Sequence, residues 1–165
     1  MATTVLIIGR FQPFHMGHIL LIEEAAKEAD HIIIGIGSSQ EGRTRSNPFT
    51  AAERREMIER SVKIEKKYSV YEIPDVNDDK RWVSHVEKIV PKFDVVYTNG
   101  ELERALFAKA GYRVHATGLY NRDLFSGTEI RRRILSGERW EDLVPEGTLK
   151  ILDEIKGVDR IRLLD

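Results

Sequence analysis

The stretch from Thr4 to Gly37 does most to narrow what this chain can fold into. "TVLII" (Thr4 to Ile8) is short, β-branched and continuously apolar, as a central parallel strand buried on both faces should be. The pattern then switches to helical spacing in "HILLIEEAAKEA" (His18 to Ala29), where Leu21, Ile22, Ala25 and Ala29 share one stripe. It returns to an apolar run in "HIIIGIG" (His31 to Gly37). Strand, helix and strand in so short a span make a βαβ unit, whose crossover is right-handed and joins parallel strands.

The alternation continues. A polar, basic loop, "SSQEGRTRSNP" (Ser38 to Pro48), is long for a compact domain, and loops of that kind are generally functional or mobile. Thr50 to Glu65 is expected to be helical, opened by a capping box of Thr50 with Glu53. Further strands are expected at Tyr68 to Ile73, Phe93 to Asn99 and Tyr112 to Thr117. Helices are expected at Arg81 to Val90, closed by Pro91, and at Glu101 to Ala110. Three more helical pieces follow: Gly127 to Ser136, Thr148 to Lys156 and Val158 to Leu164. About five strands alternating with helices imply an α/β fold, a doubly wound parallel sheet with a helical C-terminal part. No internal repeat or linker interrupts residues 1–165, so a single domain is expected.

Composition removes several functional classes. The 26 basic and 27 acidic residues nearly cancel, which argues against a dedicated nucleic-acid surface. The absence of cysteine excludes disulfides, thiolate metal sites and cysteine nucleophiles. No apolar run approaches the ~18 residues that span a bilayer. The N-terminal residues lack a basic segment or cleavage site, so a cytoplasmic protein is expected.

In open α/β sheets ligands bind beyond the carboxyl ends of the strands, which directs attention to the turn after the first strand, "GRFQPFHMGH" (Gly9 to His18). Gly9 permits close backbone approach to a ligand. Gly17 stands where a helix begins, and a helix start with bare amides is an anion site. His15 and His18, three residues apart, project from the same side of that first turn. Two imidazoles there can donate to phosphate oxygens as charge builds on a reacting phosphorus, and Arg10 adds a fixed cation. A zinc site needs a third ligand, and no further His or Cys cluster is evident. The turn fits neither the dinucleotide-binding glycine pattern nor the ATP-hydrolysing P-loop.

A second motif, "FSGTEIRRR" (Phe125 to Arg133), pairs Ser126 with Glu129 as another capping box. It adds the Thr128 hydroxyl, with Arg131 on the same side three residues on. Amides, hydroxyls and a guanidinium converging on oxygens suit the outer phosphates of a nucleotide. A capped surface helix with a solvated basic face accounts well for Arg132 and Arg133, but not for a cap set opposite a histidine-bearing turn.

A turn ending H-x-G-H after the first strand, with S-x-T-x-x-R on a late helix, resembles the nucleotidyltransferase superfamily with a Rossmann-like fold. The match is closer still to the archaeal-type nicotinamide-nucleotide adenylyltransferases. "GRFQPFHMGH", "NPFTAAER" (Asn47 to Arg54), "RWVSHVE" (Arg81 to Glu87), "YTNGELERALF" (Tyr97 to Phe107) and "FSGTEIRRRIL" (Phe125 to Leu135) run in that family's order. The resemblance implies transfer of AMP from ATP to nicotinamide mononucleotide (NMN), giving NAD⁺ and pyrophosphate. It implies that His15, His18 and Arg131 contact the ATP phosphates as catalytic groups. Gly9, Arg10, Phe11, Gly17, Asn99, Ser126 and Thr128 complete the expected ATP contacts. Mg²⁺ is expected to accompany ATP, held mostly by phosphate oxygens and water, with no protein metal ligands. The nicotinamide ring is expected to stack on Trp82, with an acidic residue among Asp75, Asp78 and Asp79 meeting the mononucleotide. A homo-oligomer is implied.

Two other readings stand beside this one. The acceptor can be another phosphate compound, such as phosphopantetheine, flavin mononucleotide or a sugar phosphate, because the end motifs are shared. A nucleotide-binding module without turnover is the alternative from another class, although a pure binder has no need of transition-state donors. Trp82 also has two readings: a tryptophan capping the core, or a platform for a pyridine ring.

Overall fold

Hydrophobic periodicity resolves into five strands and seven α-helices among residues 2–115 and 123–164, which the computed structural model describes. In chain order these are β1 (Thr4–Gly9), α1 (Met16–Ala26), β2 (His31–Ile36), α2 (Ala51–Ser61), β3 (Lys67–Glu72), α3 (Asp79–Ile89), β4 (Val95–Thr98), α4 (Glu101–Lys109) and β5 (Arg113–His115). Then follow α5 (Gly127–Ser136), a 3₁₀ turn (Glu141–Leu143), α6 (Glu146–Glu154) and α7 (Gly157–Leu163).

All pairings are parallel and the strand order is β3-β2-β1-β4-β5, the expected Rossmann-like sheet. β1 lies at the centre, with Val5 opposite Ile32 on one side and Val95 on the other. Its interior, Val5 to Ile8, is buried, which is why it reads as an unbroken apolar run. The edge strand β3 is only half-buried, with charged Lys67 and Glu72 exposed at its ends. Strand order reverses between β1 and β4, so their carboxyl ends, Gly9 and Thr98, mark the switch point where such sheets bind ligands.

By internal contacts the chain forms two compact units. One comprises Met1–Gly9, Leu21–Ser38 and Ile64–Leu119, and holds the sheet. Its core joins Leu6, Ile33 and Val96 of the strands to Val86, Phe93 and Phe107. The other comprises Arg10–Leu20, Ser39–Lys63 and Tyr120–Asp165. There α6 packs on α2, and α7 on α5 and α6, burying Met57, Ile58, Ile130, Ile134 and Ile151.

Several element ends differ from expectation. α1 starts at Met16 rather than His18 and ends at Ala26, because Lys27 and Glu28 bond back only three residues, to Glu24 and Ala25. α2 stops at Ser61, four residues short of Glu65, where Val62 turns extended (ψ 120°) and buries its side chain. α3 starts two residues before Arg81 because Asp78 caps it, accepting from the Lys80 N–H. The strand expected over Tyr112 to Thr117 runs from Arg113 to His115, and Thr117 lies outside the described residues.

Candidate active site

The histidine turn is built by its own backbone. His15 immediately precedes α1, and its carbonyl accepts from the N–H groups of His18 (3.0 Å) and Ile19 (3.3 Å). The two imidazoles therefore meet, stacked at 3.6 Å between centroids and 24° between planes. Phe14 stacks on His18 from further out (5.4 Å), and Phe11 meets it edge-on (4.6 Å). Phe11 holds φ at 55°, a left-handed conformation unusual for a bulky residue and of the kind that clusters at functional sites.

Hydrogen bonding fixes the tautomers. Nδ1 of His15 accepts from the Gly17 N–H (3.1 Å), and Nδ1 of His18 accepts from the His15 N–H (3.0 Å). A backbone N–H can only donate, so each neutral ring carries its proton on Nε2. Neither Nε2 has a partner among the described residues. Burial pushes His15 down to about 3, and burial together with the neighbouring His15 pushes His18 well below its ordinary range. Both rings are thus neutral donors at pH 7, suited to hydrogen-bond an oxyanion rather than to transfer a proton. The bare amide expected at Gly17 is instead taken by His15. What this glycine supplies is room, since a Cβ would sit 2.9 Å from both the His15 ring and the Phe125 Cβ.

This burial makes stability pH-dependent. Both folded-state values lie below the ordinary 6.5, so the unfolded chain binds more protons over the interval between them. The associated stability is fully present above pH 6.5 and is lost as pH falls toward the folded values. The slope is roughly 1.4 kcal/mol per pH unit for each histidine. Denaturant unfolding at pH 8, 6 and 5 should show this decline, with two imidazole NMR signals that do not titrate between pH 5 and 8. Titration of both rings near 6.5 would contradict it.

The second motif stands at the start of α5. Ser126 caps the helix, its hydroxyl accepting from the Glu129 N–H (3.1 Å). The reciprocal half of the expected capping box does not form, because the Glu129 carboxylate binds Arg132 and Arg133. Arg132 also pairs with Glu138. Arg131 alone of the three has no carboxylate partner among the described residues. It is half-buried, donates to the Gln12 carbonyl (2.6 Å) and lies 3.5 Å from the Thr128 hydroxyl. Burial and the nearby Arg10 charge hold its guanidinium down to about 10. Neither Arg10 nor Arg131 has a carboxylate partner among the described residues. Gly127 allows this approach, since a Cβ there would lie 2.8 Å from both the Gln12 carbonyl oxygen and Arg131 Nη1.

Three residues without an assigned role in the sequence reading hold the site together. Gln12 is buried and exchanges two hydrogen bonds with the Phe49 backbone, both 2.9 Å. Thr148 of α6 donates to the Phe14 carbonyl (2.9 Å). Arg54 is fully buried and donates to the carbonyls of Thr50, Arg10 and Glu41. Arg54 was legible in principle: with Ala51, Met57 and Ile58 it occupies the buried stripe of α2, where a charge demands partners.

His15, His18, Arg10, Phe11, Gly17, Ser126, Thr128 and Arg131 all belong to the second unit. Gly9, Asn99, Trp82, Asp75 and Asp79 belong to the first. Gly9 ends β1, its carbonyl accepting from the Gly37 N–H (2.8 Å), and Asn99 follows β4 directly. Trp82 is half-buried in the first turn of α3. It packs against the sheet core, as the first of its two readings has it, and also lines a cavity of ≈ 180 Å³ with Asp75, Asp78, Asp79 and Glu103. Asp78 is committed to capping α3 and to Arg81 (3.3 Å), while Asp75 accepts from the Ser38 hydroxyl (3.0 Å).

The cytidylyltransferase-like family matches residues 6–133. A nicotinamide-nucleotide adenylyltransferase of Thermoplasma volcanium is 49% identical over 160 residues, covering 96% of this chain and 90% of that protein. The Methanococcus aeolicus protein of that name is 48% identical over 161 residues (97% and 94%). Among solved structures, a bifunctional NMN adenylyltransferase/ADP ribose pyrophosphatase from Francisella tularensis, complexed with AMP and an Mn ion, superposes with a TM-score of 0.74 at 21% identity. This chain is 98% covered in that alignment but spans only 52% of the Francisella chain, which therefore testifies to the fold alone. With half of its sequence shared with relatives over nearly their full length, and with both end motifs in place, the chain belongs to the cytidylyltransferase-like family and, within it, to the nicotinamide-nucleotide adenylyltransferases.

Proposed function

We propose that this enzyme transfers AMP from ATP to nicotinamide mononucleotide, releasing pyrophosphate and forming NAD⁺, and that its two units work as one nucleotidyltransferase domain. The observation that carries this reading is the donor set of the two end motifs: two neutral imidazoles with fixed Nε2–H donors, and an Arg131 that feels the Arg10 charge and has no carboxylate partner among the described residues. Phosphoryl-type transfer asks for positioning and charge stabilisation more than covalent help. The mononucleotide's 5′-phosphate attacks the α-phosphorus in line, and the pyrophosphate leaves. His15 and His18 donate to oxygens that gain charge in the transition state, while Arg131, with the Ser126 and Thr128 hydroxyls, holds the outer phosphates.

The donors in this set are imidazole N–H groups, guanidinium and hydroxyls, which bind anions rather than cations. A divalent ion fits only as one carried on the nucleotide's own phosphate oxygens, Mg²⁺ by preference, and no protein carboxylate is assigned to it. Its contribution is to offset phosphate charge. We assign the adenylate contacts to Gly9, Arg10, Phe11, Gly17 and Asn99 as well, and the mononucleotide contacts to Trp82, Asp75 and Asp79. A cytoplasmic homo-oligomer that binds no nucleic acid completes the proposal. No helix among the described residues is long and apolar enough to cross a membrane.

The direct test is incubation with ATP, Mg²⁺ and a panel of acceptors, following pyrophosphate release. Nicotinamide mononucleotide should be turned over far faster than phosphopantetheine, flavin mononucleotide or a sugar phosphate. A different best acceptor, or none, overturns the reading.

Two substitutions probe the separate halves. Arg131→Lys keeps a cation but loses the planar fork that bonds the Gln12 carbonyl and faces Thr128. A several-fold rise in the KM for ATP is expected, and wild-type kinetics would move the contact to another arginine. Trp82→Ala should raise the KM for nicotinamide mononucleotide well above any change for ATP. An aromatic pair contributes roughly 0.5–1.5 kcal/mol beyond area burial, and a pyridinium adds cation–π attraction. An unchanged mononucleotide KM in the folded variant would leave Trp82 with its core role alone.

A further inference from the structure

The cavity beside Trp82 is unusually one-sided in charge. One wall is apolar, formed by the indole with Leu102 and Leu106 of α4. The rest carries four carboxylates, Asp75, Asp78, Asp79 and Glu103, and no basic side chain is among the described residues that line it. Asp78 is offset by Arg81, and Asp75 is engaged by Ser38. Asp79 and Glu103 have neither a hydrogen bond nor an ion pair among the described residues.

Glu103 is the informative one. An acid in the first turn of α4 suits the helix dipole, but Glu101 already supplies that, exposed. Glu103 is half-buried and folds back over Gly100, where a Cβ would overlap its carboxylate. It thus holds a negative charge at the cavity, against an apolar surface where electrostatic terms are strengthened.

We infer that this cavity selects its acceptor by charge, with Glu103 as a specificity-determining residue: it admits a pyridinium ring bearing a neutral carboxamide and disfavours the same ring bearing a carboxylate. This rests on the assignment of the cavity to the acceptor ring. A nicotinamide ring brings a single positive charge to the acidic wall. A nicotinate ring brings that charge cancelled by its own carboxylate, which must also lie near Asp79 and Glu103. Discrimination of this kind comes from repelling the wrong ligand as much as from holding the right one.

The experiment compares kcat/KM for the nicotinamide and nicotinic acid mononucleotides in the wild type and in Glu103→Gln. The wild type should favour the amide by roughly tenfold or more. Glu103→Gln should narrow that ratio about three- to tenfold, chiefly by lowering the KM for the acid, and Glu103→Lys should narrow it further. Should the variants fold poorly, raising NaCl to about 0.5 M must narrow the wild-type ratio by screening alone. Equal use of both acceptors by the wild type overturns the inference and leaves the proposed reaction standing. So does a ratio unmoved by Glu103→Gln or by salt. Failure to turn over either mononucleotide overturns the reaction itself and this inference with it.

Discussion

His18→Ala is expected to lower kcat by about 10²–10³ while changing the KM for ATP only a few-fold, as removal of one preorganised oxyanion donor does elsewhere. The expectation follows from how the ring is held. Its Nδ1 is occupied by the His15 N–H and its faces by His15 and Phe14, so only Nε2–H remains to meet a substrate. Burial keeps the ring neutral, so ground-state attraction to ATP is modest and its contribution grows as charge develops. Alanine also leaves a cavity and an unmet N–H on His15, which costs stability. His18→Asn separates the two effects: its side-chain oxygen can still accept from that N–H, but the Nε2 donor is gone. The asparagine variant should show the same loss of kcat with a Tm closer to the wild type. Normal kcat in a folded variant removes His18 from the chemistry, and equal losses in kcat and ATP binding make it positional.

Arg54→Leu is expected to destabilise the protein by about 2–5 kcal/mol. Leucine removes a charge whose burial is itself unfavourable, which offsets part of the loss. However, the carbonyls of Arg10 and Glu41 lose donors at 2.9 and 3.1 Å, whereas that of Thr50 keeps the Arg54 N–H of α2. Two carbonyls left without these donors outweigh the relief. Because one of them belongs to Arg10, the KM for ATP should rise as well. Urea unfolding gives the stability change, and Arg54→Lys, able to reach only part of this set, should fall between. A loss under about 1 kcal/mol would mean that water replaces the guanidinium.

Local patterns in this chain were legible because their causes are local. β1 and β2 announce themselves as unbroken apolar runs because both faces are buried, and the Thr50–Glu53 box forms as the spacing implies. Both ends of α5 were legible, since a capping serine and the Gly137 terminus at φ 79° are sequence signals. Boundaries that depend on packing were not. Val62 leaves α2 to bury itself, a choice that no helix propensity records.

The sequence by itself determined the strand–helix alternation, the two end motifs and the family they belong to. It could not set the strand order, which depends on pairing between distant segments. It could not assign Glu129 to Arg132 and Arg133 rather than to the Ser126 amide, since both partners lie within reach along the chain. The motif spacing singles out Arg131 from Arg132 and Arg133, but its bond to the Gln12 carbonyl joins residues 119 apart, so only the folded chain shows what holds its guanidinium. The neutral state of the two histidines was equally out of reach, because a pKa responds to desolvation, and desolvation exists only once tertiary packing has closed around the rings.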